Sequence, residues 1–175
     1  MNKTLLVALF ALVAVFQLAI PGSIIYREQR VVTTGQEFKF QMRQFDPGDP
    51  FRGNYLQLAF EQEQTASTKY HFTGTVYVSL MVGEDGFAKI ATVTDKKPKS
   101  SVFFRATGKY GRMTFPFNRF FINEYQAKQA EALIRDAQRD PAARDSYALV
   151  RVGRGDAVLV DLYVHGKPLR QALAQ

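Results

Sequence analysis

The residues that come nearest to a reactive pair are Asp46 and Asp49, which stand three positions apart across Pro47. Two carboxylates at this spacing can converge for acid–base catalysis or for binding Ca²⁺. Arg52 follows three residues later, and its guanidinium would compete with a metal ion for both carboxylates. We therefore predict neither a metal site nor a catalytic pair here, and we interpret these residues as part of a structural or binding loop.

Other side chains suited to nucleophilic or metal chemistry are few. The sequence contains no cysteine and two histidines, His71 and His165, which argues against thiol chemistry and a histidine-rich metal site. No serine lies in a Gly-x-Ser-x-Gly nucleophile elbow, and Ser100 lies beside Lys99 in a charged loop that would not desolvate a lysine base. We predict a protein without catalytic residues or cofactor. The alternative is a membrane-tethered, peptidase-like hydrolase with an unrecognised site near residues 46–55.

The net charge of +7 and the isoelectric point near 9.7 raise the question of nucleic-acid binding. The basic residues are spread along the chain and no nucleic-acid recognition motif accompanies them. We therefore predict no nucleic-acid partner. Attraction to anionic lipid headgroups is the simpler explanation of the net positive charge.

A membrane anchor is the prediction for the N-terminus. Leu5 to Phe16 is an unbroken apolar run, and no charged residue occurs between Leu5 and Tyr26. A helix needs about 20 residues to cross the hydrocarbon core, and a cleavable signal peptide would end in a small-x-small pattern that is missing here. We assign residues 1–26 to an uncleaved anchor in which Pro21 and Gly22 loosen or end the helix, and residues 27–35 to a juxtamembrane linker.

The remaining residues, 36–175, are predicted to form an extracytoplasmic β domain. Apolar and polar residues alternate along Phe38–Met42 and Leu56–Glu61, which predicts strands with one buried face. Both faces of Val76–Val82 are apolar, which predicts a central strand, and Tyr147–Val152 and Ala157–Val164 are predicted to form a last hairpin. One segment, about 123–139, has helical spacing instead, with Asn123 as N-cap and Pro141 after its end. The predicted fold is mainly β: an antiparallel barrel or sandwich of roughly 7–9 strands with one inserted helix, preceded by one transmembrane helix.

One segment combines turn formers, acids and an arginine at fixed spacing. Its residues are Asp46, Pro47, Asp49, Arg52, Gly53, Asn54, Tyr55 and Leu58. In this segment the sequence resembles the GDYXXLXY family of bacterial membrane-associated proteins, although Asn54 replaces an aspartate of the family pattern and Phe60 replaces a tyrosine. The resemblance implies an accessory or partner-binding role at the bacterial cytoplasmic membrane, beside a multi-pass membrane protein.

The two departures suggest what these positions do. Asn54 keeps the ability to hydrogen-bond in a turn but not that of a general base, and Phe60 keeps a ring that fills a core. We predict that Arg52 clamps the loop by pairing with Asp46 or Asp49, so that Arg52→Ala costs about 2 kcal/mol or more. The competing interpretation makes the same loop a recognition surface for a peptide, a glycan or a membrane protein.

Overall fold

A computed structural model describes residues 3–43, 55–70, 72–100, 102–139 and 145–174. The helices are α1 (Lys3–Thr34), α2 (Glu61–Lys69), α3 (Glu124–Ala137) and α4 (Leu169–Ala172). The strands are β1 (Gln36–Gln41), β2 (Tyr55–Gln57), β3 (Gly74–Val82), β4 (Ala88–Thr94), β5 (Phe103–Lys109), β6 (Arg112–Thr114), β7 (Arg119–Phe121), β8 (Ser146–Gly153), β9 (Asp156–Val164) and β10 (Lys167–Pro168). The fold is mainly β with antiparallel sheets, as predicted.

Helix α1 is long and apolar enough to cross a membrane. An 18-residue window has a mean hydropathy of 2.4, and none of that window is buried against the domain. The expectation that Pro21 and Gly22 end the helix is wrong, because α1 continues to Thr34. Pro21 lacks the N–H that would otherwise bond the carbonyl of Gln17 four residues earlier, and the helix continues past this missing hydrogen bond. The Ser23 hydroxyl donates to the Ile20 carbonyl at 2.7 Å in the same turn.

The C-terminal end of α1 is joined tightly to the β domain. The Arg151 guanidinium on β8 donates to the Val32 carbonyl and lies 3.5 Å from the Glu37 carboxylate on β1. The Gly35 N–H donates to the Val31 carbonyl at 2.8 Å, and a Cβ at position 35 would collide with that same carbonyl. The chain therefore turns from helix into strand at a point where only glycine fits.

Two four-stranded antiparallel sheets form a half-barrel. One has the order β1-β8-β9-β10 and the other the order β4-β3-β5-β6, so that β3 is central as predicted. Isolated bridges connect the sheets, from Lys39 to Phe87 on one side and from Phe104 to Gly155 on the other. The short pair β2-β7 stands apart from both sheets.

Phenylalanines fill the space between the sheets. Phe40 is fully buried, and its ring centroid lies 4.9 to 6.4 Å from the centroids of four other rings. These rings belong to Phe60, Phe104, Phe115 and Phe117. Most of the pairs are edge-to-face or tilted, which is the geometry that aromatic quadrupoles prefer. The prediction that Phe60 fills the core is confirmed.

The helix predicted for residues 123–139 is confirmed as α3. Its N-cap is Asn123, whose side-chain oxygen accepts from the Tyr125 N–H at 3.1 Å. The structure adds α2 and α4, which the sequence did not predict. Residues 58–61 had been predicted to continue a strand, but β2 ends at Gln57 and α2 begins at Glu61.

Candidate functional site

The sequence motif joins the end of β1 to the start of β2. Asp46, Pro47, Asp49, Arg52, Gly53 and Asn54 lie outside the described residues, so the clamp assigned to Arg52 remains a prediction. The structure places the last two motif residues, Tyr55 and Leu58. Leu58 is buried, and its N–H donates to the Asn118 carbonyl at 2.8 Å. Leu58 therefore anchors the motif to the core.

Tyr55 lies on the outer face of the β2-β7 pair. It stands opposite Phe121, with ring centroids 5.9 Å apart, and the Arg119 guanidinium carbon lies 5.2 Å from the Tyr55 ring centroid. The intervening residue, Leu56, points inward and is buried. Strand alternation thus presents two rings and one cation on a single outer face.

These groups are accessible to a partner. Phe121 is 68% exposed, and Tyr125, four residues further along the chain in the first turn of α3, is 94% exposed. Arg119 is exposed and Tyr55 is half-buried. We call Tyr55, Arg119, Phe121 and Tyr125 the aromatic surface. It begins at the residue where the motif enters β2.

A narrow groove of about 40 Å³ lies next to this surface, between β2 and α3. Leu56, Leu58 and Ile134 form its apolar floor, and Glu131 and Arg135 of α3 stand at its rim. Glu131 and Arg135 are charged residues one turn apart on α3, and both line this groove. The groove connects α3 to the motif side of the domain.

The end of α3 is also tied to the chain that enters the motif. The Gln138 side-chain amide donates to the Arg43 carbonyl at 3.2 Å. Arg43 is the last described residue before the motif. Helix α3 therefore contacts both the chain that leads into the motif and the strand that follows it.

A second cleft, of about 600 Å³, lies between α2 and β6, and its polar residues were missed at the sequence level. The Glu63 carboxylate accepts from the Phe115 N–H at 2.8 Å. Burial raises the pKa of Glu63, although this hydrogen bond and the charges of Arg112 and Arg43 act in the opposite direction. Glu63 and Ser67 are four residues apart, a spacing that has meaning only once α2 is known to be a helix.

Ser67 is fully engaged in this cleft. Its hydroxyl donates to the Glu63 carbonyl at 2.8 Å and accepts from the Met113 N–H at 2.8 Å. The two α2 side chains thus cover backbone donors at the edge of the β3-β5-β6 sheet. Their arrangement holds α2 in place, and it does not pair the Ser67 hydroxyl with a general base.

Of the two histidines, the structure describes His165. His71 lies outside the described residues. His165 lies in a turn with φ +50°, with its Nδ1 3.4 Å from the Asp145 carboxylate and its Nε2 3.8 Å from that of Asp136. Within the described ranges, no three histidine or acidic side chains converge in a way that could hold a metal ion.

Comparison with known proteins gives one match. The family model described as GDYXXLXY protein matches residues 17–162. Neither the comparison with curated proteins nor the comparison with solved structures finds a match. The matched range runs from inside α1 through the core sheets to β9 and includes the motif and the aromatic surface. The chain belongs to the GDYXXLXY family.

Proposed function

We propose that this chain is a single-pass membrane protein whose β domain binds a partner protein through the aromatic surface. The observation that carries the proposal is the exposure of Phe121 beside Tyr55 and Arg119, where the motif enters β2. Aromatic residues and arginine are enriched at protein interfaces and supply most of their binding energy. A partner that covers these rings would also reach the motif residues joined directly to Tyr55.

Three observations support binding rather than hydrolysis. The Ser67 hydroxyl is engaged on both sides, and the Glu63 carboxylate accepts from a backbone N–H. The aromatic surface, in contrast, presents rings and a guanidinium without an acid–base pair. A Glu63→Gln chain that keeps its partner would support the binding role, whereas a hydrolase that used Glu63 would lose its activity in the same variant.

Photo-crosslinking from two exposed positions tests the proposal. A photoreactive phenylalanine analogue at position 121 should give one membrane-protein adduct of defined mass, and the same analogue at position 110 should give none. Tyr110 is a matched control because it is an aromatic residue that is 90% exposed and lies in the turn between β5 and β6 rather than on the β2-β7 pair. The adduct should disappear in a chain that also carries Tyr125→Ala. Equal adducts from both positions would contradict the proposal.

We further propose that the domain lies outside the cytoplasm, at the bacterial cytoplasmic membrane, with a multi-pass membrane protein as the partner. A short N-terminal tail followed by an apolar helix and a large domain is the pattern of a signal anchor. Because the chain lacks cysteine, single-cysteine variants give a clean test. A membrane-impermeant maleimide should label Lys97→Cys and not Lys3→Cys in intact cells. The reverse labelling would place the domain inside.

A further inference from the structure

A cavity of about 470 Å³ lies between α1 and the end of the domain closest to it. We call it the α1 cleft. Ile24, Arg27 and Glu28 line it from the helix. Thr75, Arg105, Thr107 and Asp156 line it from the β domain, together with backbone near Gly155. It is separate from the aromatic surface, which belongs to β2, β7 and α3.

The position of the α1 cleft along the helix sets its depth in a membrane. A span that begins at Leu5 and uses about 20 residues to cross the hydrocarbon core ends near Ile24. Arg27 is the first charged residue beyond that span. The cleft therefore opens at the level of the lipid headgroups, with Ile24 on its apolar side. This step rests on the proposal that α1 spans the membrane.

The charges of the α1 cleft are of both signs. Arg105 is held in place because its Nε donates to the Gly155 carbonyl at 3.1 Å and its guanidinium pairs with Asp156. Arg27 and Glu28 are exposed, and neither has an ion-pair partner among the residues that the structure describes. Each has its charge available to a ligand with the opposite charge.

The chemistry of the lining selects among headgroups. An anionic headgroup without a cation would place negative charge against Glu28 and Asp156. A trimethylammonium group is usually recognised by aromatic rings, and the lining given by the described residues contains no aromatic side chain. A primary ammonium suits carboxylates because it donates hydrogen bonds to them, and a phosphate suits arginine because its oxygens accept hydrogen bonds from the guanidinium.

We propose that the α1 cleft binds the headgroup of a zwitterionic phospholipid with a primary ammonium, that is, a phosphoethanolamine lipid. The phosphate pairs with Arg27 and accepts from the threonine hydroxyls, and the ammonium pairs with Glu28. The acyl chains lie along the apolar face of α1 below Ile24. The site fixes one lipid at the junction between anchor and domain.

Native mass spectrometry of the full detergent-solubilised chain tests this assignment. The chain is mixed with phosphatidylethanolamine, phosphatidylcholine or phosphatidylglycerol at equal concentration. Retention of the first should exceed that of the others by about tenfold, the scale for one charge-assisted hydrogen-bond pair. Equal retention of the three lipids, or a preference for phosphatidylglycerol, would overturn the proposal.

Three variants locate the site. Arg27→Gln should lower retention of phosphatidylethanolamine by about tenfold, and Glu28→Gln should do the same while raising the relative retention of phosphatidylglycerol. Arg30→Gln is the matched control, because Arg30 is an exposed arginine one turn along α1 that does not line the cleft. If Arg30→Gln lowers retention as much as Arg27→Gln does, the attraction is unspecific and the site is wrong.

Two further measurements distinguish a lipid from a soluble ligand, and a failure of the membrane anchor from a failure of the lipid site. Soluble phosphoethanolamine should compete with the lipid only at far higher concentration, and equal competition would assign the cleft to a soluble ligand instead. Alkaline carbonate should leave the chain in the membrane fraction. Extraction would overturn the anchor and the lipid site together, whereas a retained chain that is indifferent to lipid would overturn the lipid site alone.

Discussion

Different interactions stabilise two regions of the molecule: the junction between α1 and the β domain, and the side of the domain where the motif enters β2. At the junction, Arg151 and Arg105 connect segments far apart in the sequence through hydrogen bonds to carbonyl groups and pairs with carboxylates. On the motif side, β2 and β7 pair over three residues each, and Phe121 stays exposed. The junction fixes the β domain relative to α1, whereas the motif side leaves the apolar ring of Phe121 exposed.

The comparison between a buried and an exposed phenylalanine should give the largest difference in stability. Phe40→Ala removes a fully buried ring that contacts four others and should cost about 3–5 kcal/mol of unfolding free energy. Phe121→Ala removes an exposed ring and should cost about 0.5 kcal/mol. Urea unfolding of the detergent-solubilised chain, followed by near-ultraviolet circular dichroism, measures both. Similar costs would mean that Phe121 belongs to the core.

The junction itself is tested by Arg151→Ala. This variant leaves the Val32 carbonyl without its partner and should cost about 1–2 kcal/mol. Glu37→Gln removes only the partly exposed ion pair with Arg151 and should cost less than about 1 kcal/mol. Hydrogen exchange at residues 31–36 should accelerate in the first variant and not in the second. Unchanged exchange in Arg151→Ala would show that the junction is held by other contacts.

The motif side is tested at the start of α3. Asn123→Ala removes the side-chain cap on the Tyr125 N–H and should lower stability by about 1 kcal/mol. Asn123→Asp keeps the cap and adds a charge that favours the helix N-terminus, so its stability should match that of the original chain. The thermal midpoints of the three proteins measure this. If Asn123→Ala left the midpoint unchanged, α3 would depend on packing against the groove alone.

The smallest expected effect is a pH dependence at Glu63. Because burial raises its pKa, the folded chain binds more protons than the unfolded chain from the ordinary value of 4.5 up to the raised value. The contribution of Glu63 to the unfolding free energy therefore falls as the pH rises through that window. Glu63→Gln should remove this part of the pH dependence while still accepting from Phe115. Parallel pH profiles of the two proteins would contradict the assignment.

The sequence predicted best the elements whose side chains alternate or repeat by themselves. The β8-β9 hairpin, the central position of β3 and the helix after Asn123 all follow from local apolar spacing. Helix α2 was missed because it is polar throughout and buries only Gln62 and Ala66. Its position comes from contacts with β6, which no local pattern encodes.

The residues of the candidate sites also divide into those that a local sequence pattern predicts and those that only the folded chain brings together. Tyr55 could be singled out from the motif, whereas its neighbours Arg119 and Phe121 come from a strand more than sixty residues later. The α1 cleft was not predictable, because Arg27 and Asp156 line the same cavity only after the chain has completed both sheets. The continuation of α1 through Pro21 was also missed, since the usual effect of proline on a helix gave the opposite expectation.

The unbroken course of α1 has a mechanical consequence. A transmembrane helix tilts when its apolar stretch exceeds the thickness of the bilayer around it. In the proposed arrangement, with α1 across the membrane, the β domain tilts through the same angle as the helix, because α1 runs without interruption from Lys3 to Thr34 and Arg151 binds its last turn. The distance between the aromatic surface and the membrane plane then changes with bilayer thickness. A thick and a thin bilayer would thus present the same domain to neighbouring proteins at different heights.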